Sequence, residues 1–186
     1  MHWSLTLVTG PAAEPISSTA AKVWLRLSHT VEDALIDDLI QMVREQVEEH
    51  GIAVMTQTWD LRLDRFPSVI RIPMTPVQEV SSISYIDTNG DTQTLAASKY
   101  TVDWKSTPAR IVPAYGLSWP STRGEPNAVT VQFIAGYGDG ATPGIPERVL
   151  QAMRLALTTG YALRADNDAA QTAVARILDN YALYYY

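Results

Sequence analysis

The run Ala135-Gly136-Tyr137-Gly138-Asp139-Gly140 is where backbone chemistry is first worth testing in this chain of 186 residues. A glycine-rich turn after a strand and before a helix can aim amide N–H groups at a phosphate. No lysine accompanies it as in a phosphate-binding loop, and the following helix starts only about six residues later, at Pro146. The preceding strands read as antiparallel, so no βαβ unit frames the turn. Gly136, Tyr137, Gly138, Gly140 and Gly144 are therefore expected to form a mobile joint between a strand and a helix.

His2, His29 and His50 are far apart and lack the i, i+4 spacing or neighbouring carboxylate that a zinc site uses. Asp87-Thr88-Asn89-Gly90-Asp91 superficially suggests calcium, but the EF-hand needs alternating ligands through a loop of about 12 residues closed by a glutamate. Asn89-Gly90 instead suits a tight hairpin turn. The carboxylates Asp37, Asp38, Glu45, Glu48 and Glu49 lie on a helical stretch, and the adjacent pairs among them do not converge on one substrate. No serine, histidine and acid fall in a recognisable hydrolase order, and cysteine is absent. These patterns imply no metal, no cofactor and no catalytic residue; the chain reads as a non-enzymatic protein.

The absence of cysteine also removes disulfides and suits a reducing cytoplasm. The N-terminus lacks a basic, apolar leader and no segment is long enough to span a bilayer, so the expectation is a soluble intracellular product without a membrane. The formal charge of −6 is uneven: residues 1–60 carry nine carboxylates against three basic residues, and the remainder balances. A basic stripe for nucleic acid is missing, so any duplex would pass without specific binding.

The elements that must carry these residues follow from periodicity. Residues 1–17, with Pro11 and Pro15, read as an extended arm, and a short helix follows near residues 18–27. Thr30, with Asp33 three residues on, suggests a capped second helix. Its apolar stripe is Leu35, Ile36, Leu39, Ile40, Val43 and Val47, and Gly51 marks its stop. The period then changes to two, giving strands near 54–63, 69–72, 80–86, 92–95, 100–103, 110–113 and 129–134. Helical spacing returns from Pro146, with Val149, Leu150, Met153, Leu157 and Tyr161 on one face. Asp168 and Gln171 suit the start of a last helix bearing Val174, Ile177, Leu178 and Tyr181. The implied fold class is α+β: a helical bundle built from both ends of the chain (residues 18–51 and 144–183), a small antiparallel β domain inserted at 52–143, and a tail at 184–186. Three final tyrosines cannot all face one core, so Tyr181, Leu183, Tyr184, Tyr185 and Tyr186 form a candidate docking element.

Several short patterns, taken in order, resemble a known family. They are Pro11 to Pro15 with Glu14, Lys22 to Arg26 with Trp24, Glu32-Asp33, Gln57-Thr58-Trp59 and Leu63 to Pro67. They continue with Pro76-Val77, Ile83 to Asp87, Tyr100 to Asp103, Arg110-Ile111, Trp119-Pro120 and Gly136 to Gly138 before Ile145-Pro146. Across roughly residues 11–165 their order and spacing resemble the head-to-tail connector (adaptor, head-completion) family of long-tailed phages, prophages and gene transfer agents. The resemblance implies a structural subunit of the virion neck, made in the host cytoplasm. Copies would form a twelve-fold ring under the portal protein, extend the DNA channel and offer a platform to a downstream neck stopper or tail protein. The terminal tyrosines would contact the portal. The acidic helix, with Asp37, Asp38, Glu45, Glu48 and Glu49, would face the channel and repel the duplex. The alternative is another neck or tail module, a stopper or tail terminator, which would be dominated by β-structure; helix content separates the two.

Overall fold

The computed structural model describes residues 2–138 and 144–162. It holds eight strands in two antiparallel sheets and three helices. Two compact units arise: Met1–Gly10 with Thr56–Gly136, and Pro11–Met55 with the chain from Tyr137 onward.

The first unit is all β. Strands β1 (Trp3–Thr9), β2 (Gln57–Leu63), β4 (Val77–Ile86), β5 (Thr92–Thr94) and β8 (Val129–Ala135) form a sheet of order β1-β2-β8-β4-β5. Strands β3 (Ile70–Arg71), β6 (Tyr100–Asp103) and β7 (Arg110–Pro113) form a second, of order β3-β7-β6. Alternation explains the larger sheet. Leu61, Val131 and Ile83 are partners across three strands and are all buried, while the next rung, Asp60, Gln132 and Ser82, is polar. Every second residue thus joins an apolar face, which fixes register because a slip of one residue would expose the whole row. The Asn89-Gly90 turn joins β4 to β5, with Gly90 at a φ of 97° and Asp87 Oδ1 accepting the N–H groups of Asn89, Gly90 and Asp91.

The second unit is helical. Helix α1 (Ser18–Leu25) starts at Ser17, whose Oγ accepts the N–H of Ala20 at 3.2 Å, and stops where Arg26 turns left-handed. Helix α2 (Asp33–Glu48) buries Ile36, Ile40, Val43 and Val47, as its stripe requires, and Gly51 follows at a φ of 77°. The expected cap at Thr30 does not form. Glu32 is the N-cap and makes no side-chain cap hydrogen bond, while Asp33 is drawn instead to Lys22 Nζ at 2.7 Å. Helix α3 (Glu147–Ala162) contributes Val149, Ala152, Met153, Ala156 and Leu157 to the same core. Arg44 sits inside this unit with its side chain 5% exposed, its Nε donating to Glu14 at 2.9 Å and its Nη1 to Glu48 at 2.8 Å. Burial works against the guanidinium charge, but the hydrogen bonds and charges of Glu14 and Glu48 outweigh it and raise its pKa.

The expected fold class needs correction. Among the described residues the chain is not a helical bundle built from both ends with a small β insert; it is mostly β, with a small helical part. The arm expected at the N-terminus is in part a full strand, β1, paired with β2 from Trp3 to Thr9, so the larger sheet draws on two separate stretches of chain. Its alternation is short and every residue but the half-buried Leu5 is exposed, so little burial marks it. The last expected helix, at 168–181, lies outside the described residues.

Two predictions follow from these contacts. Truncating one partner of a buried ion pair leaves a charge uncompensated, so Glu48→Ala should lower the unfolding free energy by about 3 kcal/mol. Glu14→Ala, at a more exposed partner, should lower it by no more than about 1 kcal/mol; urea titration reads both. In the β6–β7 turn, hydrogen bonds from Ser106 Oγ, Arg110 Nε and the Lys105 N–H hold the Asp103 carboxyl down to about 2. A depressed carboxylate stabilises fully above its ordinary value of 3.8, and that contribution is lost as pH falls toward about 2. Across that window Asp103→Asn should show a shallower fall in melting temperature than the parent chain.

Candidate functional site

The residues that looked capable of chemistry are occupied by structure. Asp87 has its carboxylate filled by its own turn and by Gln93 Nε2 at 3.0 Å, and those donors lower its pKa, the Asp91 N–H first. His50 lies within 3.0 Å, Nδ1 to oxygen, of the Gln46 carbonyl near the end of α2, and His29 lies 3.7 Å from Glu32. Among the described residues no group of three or more histidines and carboxylates could hold a metal ion. No described helix is long and apolar enough to cross a membrane.

The glycine-rich turn is held rather than open at its start. Gly136, at a φ of 140°, donates its N–H to Pro76 at 2.8 Å and accepts Gln78 Nε2 at 2.7 Å; Gly138 follows at a φ of 96°. Tyr137 lies between them and donates its N–H to Val54 at 3.4 Å. Gly144 is exposed, and Gly140 lies outside the described residues.

The acidic helix divides. Asp37, Asp38, Glu45 and Glu49 are exposed, Asp37 accepting a hydrogen bond from Ser18 Oγ and Glu45 one from Gln41 Nε2 at 2.9 Å. Glu48 differs from the other four: its side chain is 8% exposed and serves Arg44. Reading Glu48 with its neighbour Glu49 hid the i, i+4 relation to Arg44 that was visible in the sequence.

Exposed apolar surface is what remains. In the helical unit Val23, Trp24 and Val31 are exposed. Trp24 is held by its indole N–H to Thr158 Oγ1 at 2.9 Å and by Arg154, whose guanidinium carbon lies 5.6 Å from the ring centroid. Val23 and Trp24 border an open groove of about 1030 Å³ whose walls include Ile16, Leu150 and Leu157. In the β unit Leu7, Val8, Trp104 and Tyr115 are exposed, Tyr115 in the turn closed by the Leu117 N–H on the Ala114 carbonyl. Interfaces favour aromatic residues fixed in this way. An exposed apolar side chain carries no periodic signal, so periodicity does not mark these residues as a surface. The docking candidates Tyr181, Leu183, Tyr184, Tyr185 and Tyr186 lie outside the described residues.

No protein-family model matches the chain, and no curated protein matches it. Solved structures do. A chain in the neck of an empty gene transfer agent particle, computed with C6 symmetry, superposes with a TM-score of 0.80 at 21% identity, covering 98% of this chain and 97% of that one. One in the virion of a native gene transfer agent particle gives 0.79 at 21% identity, covering 98% and 96%. One in the neck of the native particle, computed with C12 symmetry, gives 0.69 at 20% identity, covering 98% and 97%. At this identity the likeness establishes a shared fold.

The positive φ at Gly138 yields a test of the turn. Gly138→Ala places a β-carbon where side chains are strained, and should lower the unfolding free energy by roughly 1–3 kcal/mol, read as an earlier urea midpoint.

Proposed function

We propose that this chain is a non-catalytic structural subunit of the neck of a phage-like particle, and within the neck the head-to-tail connector. The observation that carries this reading is the superposition on a gene transfer agent neck chain at a TM-score of 0.80 over nearly the full length of both chains. The ordered resemblance of short motifs to the connector family supports it independently. Exposed, fixed aromatics such as Trp24 fit a protein that works by contact with other proteins.

In this role copies form a twelve-fold ring beneath the portal, extend the DNA channel and present a platform to a downstream stopper or tail protein. Tyr181, Leu183, Tyr184, Tyr185 and Tyr186 dock on the portal, and the 136–144 segment acts as the joint that lets the chain adjust. Asp37, Asp38, Glu45 and Glu49 supply a carboxylate surface that lets a duplex slide without adhering, with Glu48 neutralised by Arg44. An α2 helix lying on the outer surface of the ring would remove this last role.

One observation favours a second reading. Stoppers and tail terminators were expected to be β-dominated, and among the described residues this chain has more strand than helix. Such a module would bind the tail side of the neck and leave the portal alone.

Omitting the chain from particle production and adding it back tests the choice. A connector should leave DNA-filled heads without necks when omitted, and a chain lacking residues 181–186 should fold normally yet fail to restore them. Full restoration by that truncated chain would contradict portal docking by the tyrosines. Heads that already carry neck proteins at the portal in its absence would favour the stopper or terminator.

A further inference from the structure

The larger sheet ends in two unlike edges, and both carry pairing capacity. At one end is β1. Residues Trp3–Leu7 pair with Leu63–Trp59 in regular register, and among the described residues no strand lies on the other side. The strand has no charge and no proline, the devices by which natural edges are blunted. At the other end β5 covers only Ser84–Ile86 of β4, so residues 77–82 have β8 on one side and, among the described residues, no strand on the other. The two open stretches have similar lengths, about five or six residues, a common strand length.

The faces also match. Trp3, Leu5 and Leu7 continue the apolar row of Leu63, Leu61 and Trp59 onto β1, yet Leu7 is 42% exposed there. On the open stretch of β4, Val77 and Val80 belong to that same row through Ala135 and Phe133. Bulges between Val77 and Glu79 and between Val80 and Ser82 keep these valines on that face at a spacing of three, so a strand added beside β4 with its apolar residues on this face would extend the row. An edge that differs from its complement makes a head-to-tail contact, which closes into a ring when the rotation allows.

Resting on the neck reading above, we infer that the β1 edge of one copy adds to the open stretch of β4, residues 77–82, on the next copy, so that the sheet runs from subunit to subunit. Backbone hydrogen bonds supply the adhesion, and Leu5 and Leu7 of one copy lie beside Val77 and Val80 of its neighbour. The occupant of each edge is a second copy of this chain.

The lack of cysteine gives a clean test. Thr6, Glu79 and Ser82 share the polar face of the sheet. Within one chain Thr6 and Ser82 lie three strand spacings apart, roughly 14 Å, which no disulfide can bridge. Thr6→Cys is combined in turn with Glu79→Cys and with Ser82→Cys, and each protein is oxidised alone and with portal from the same source. A ladder of covalent oligomers in the portal mixture, from at least one double variant and from no single-cysteine variant, is the expected result. If both double variants join the portal in a ring-sized complex and give no ladder, the seam is overturned while the neck reading stands. If the unsubstituted chain forms no ring-sized complex at all, the neck reading fails and the seam fails with it.

Discussion

Strand β8 is paired along its whole length on both sides, to β2 and to β4, and the organisation of the β unit depends on that double pairing. Its inward residues Val129, Val131, Phe133 and Ala135 are fully buried or nearly so, which leaves the flanking strands one register in which their own apolar residues meet the row. Because β8 takes up one edge each of β2 and β4, every further contact must be made at the far edges. One is taken by β1 and the other only partly by β5. The core and the open edges are thus two results of one arrangement.

In the helical unit a polar group has the corresponding place. Arg44 lies among Ile40, Val43 and Val47 on the same helix, and only its pairing with Glu48 and Glu14 makes its burial tolerable. Glu14 belongs to the segment leading into α1, so this pairing fixes the segment against α2. Glu48 consequently has a structural duty, and the net acidity of the helix surface is smaller than the sequence suggests.

Legibility in the sequence followed burial. Strand β8 and the stripe of α2 are readable because their apolar residues repeat at the period of the element and are buried on one side. Strand β1 is not: Trp3, Leu5, Leu7 and Val8 sit on an edge, all but the half-buried Leu5 exposed, shortly before Pro11, and look like an arm. That miss led to a fold class weighted toward helices, since without β1 the β region looks like an insert. The expected Thr30 cap does not form, and Asp33 pairs instead with Lys22 of another helix, a contact no local pattern contains. Of the candidate surface, the carboxylates of α2 were visible by composition, whereas Trp24 required the position of Arg154 and Thr158 on α3 to be recognised as fixed.

The described residues combine unlike sheet edges and exposed aromatics in a fold shared with chains of gene transfer agent necks. The most direct test is the mass of the purified protein alone and after mixing with portal particles from the same source, by native mass spectrometry or light scattering. A single portal complex heavier by a ring of about twelve copies is the predicted result. A protein that leaves the portal mass unchanged and retains its own would contradict the connector account.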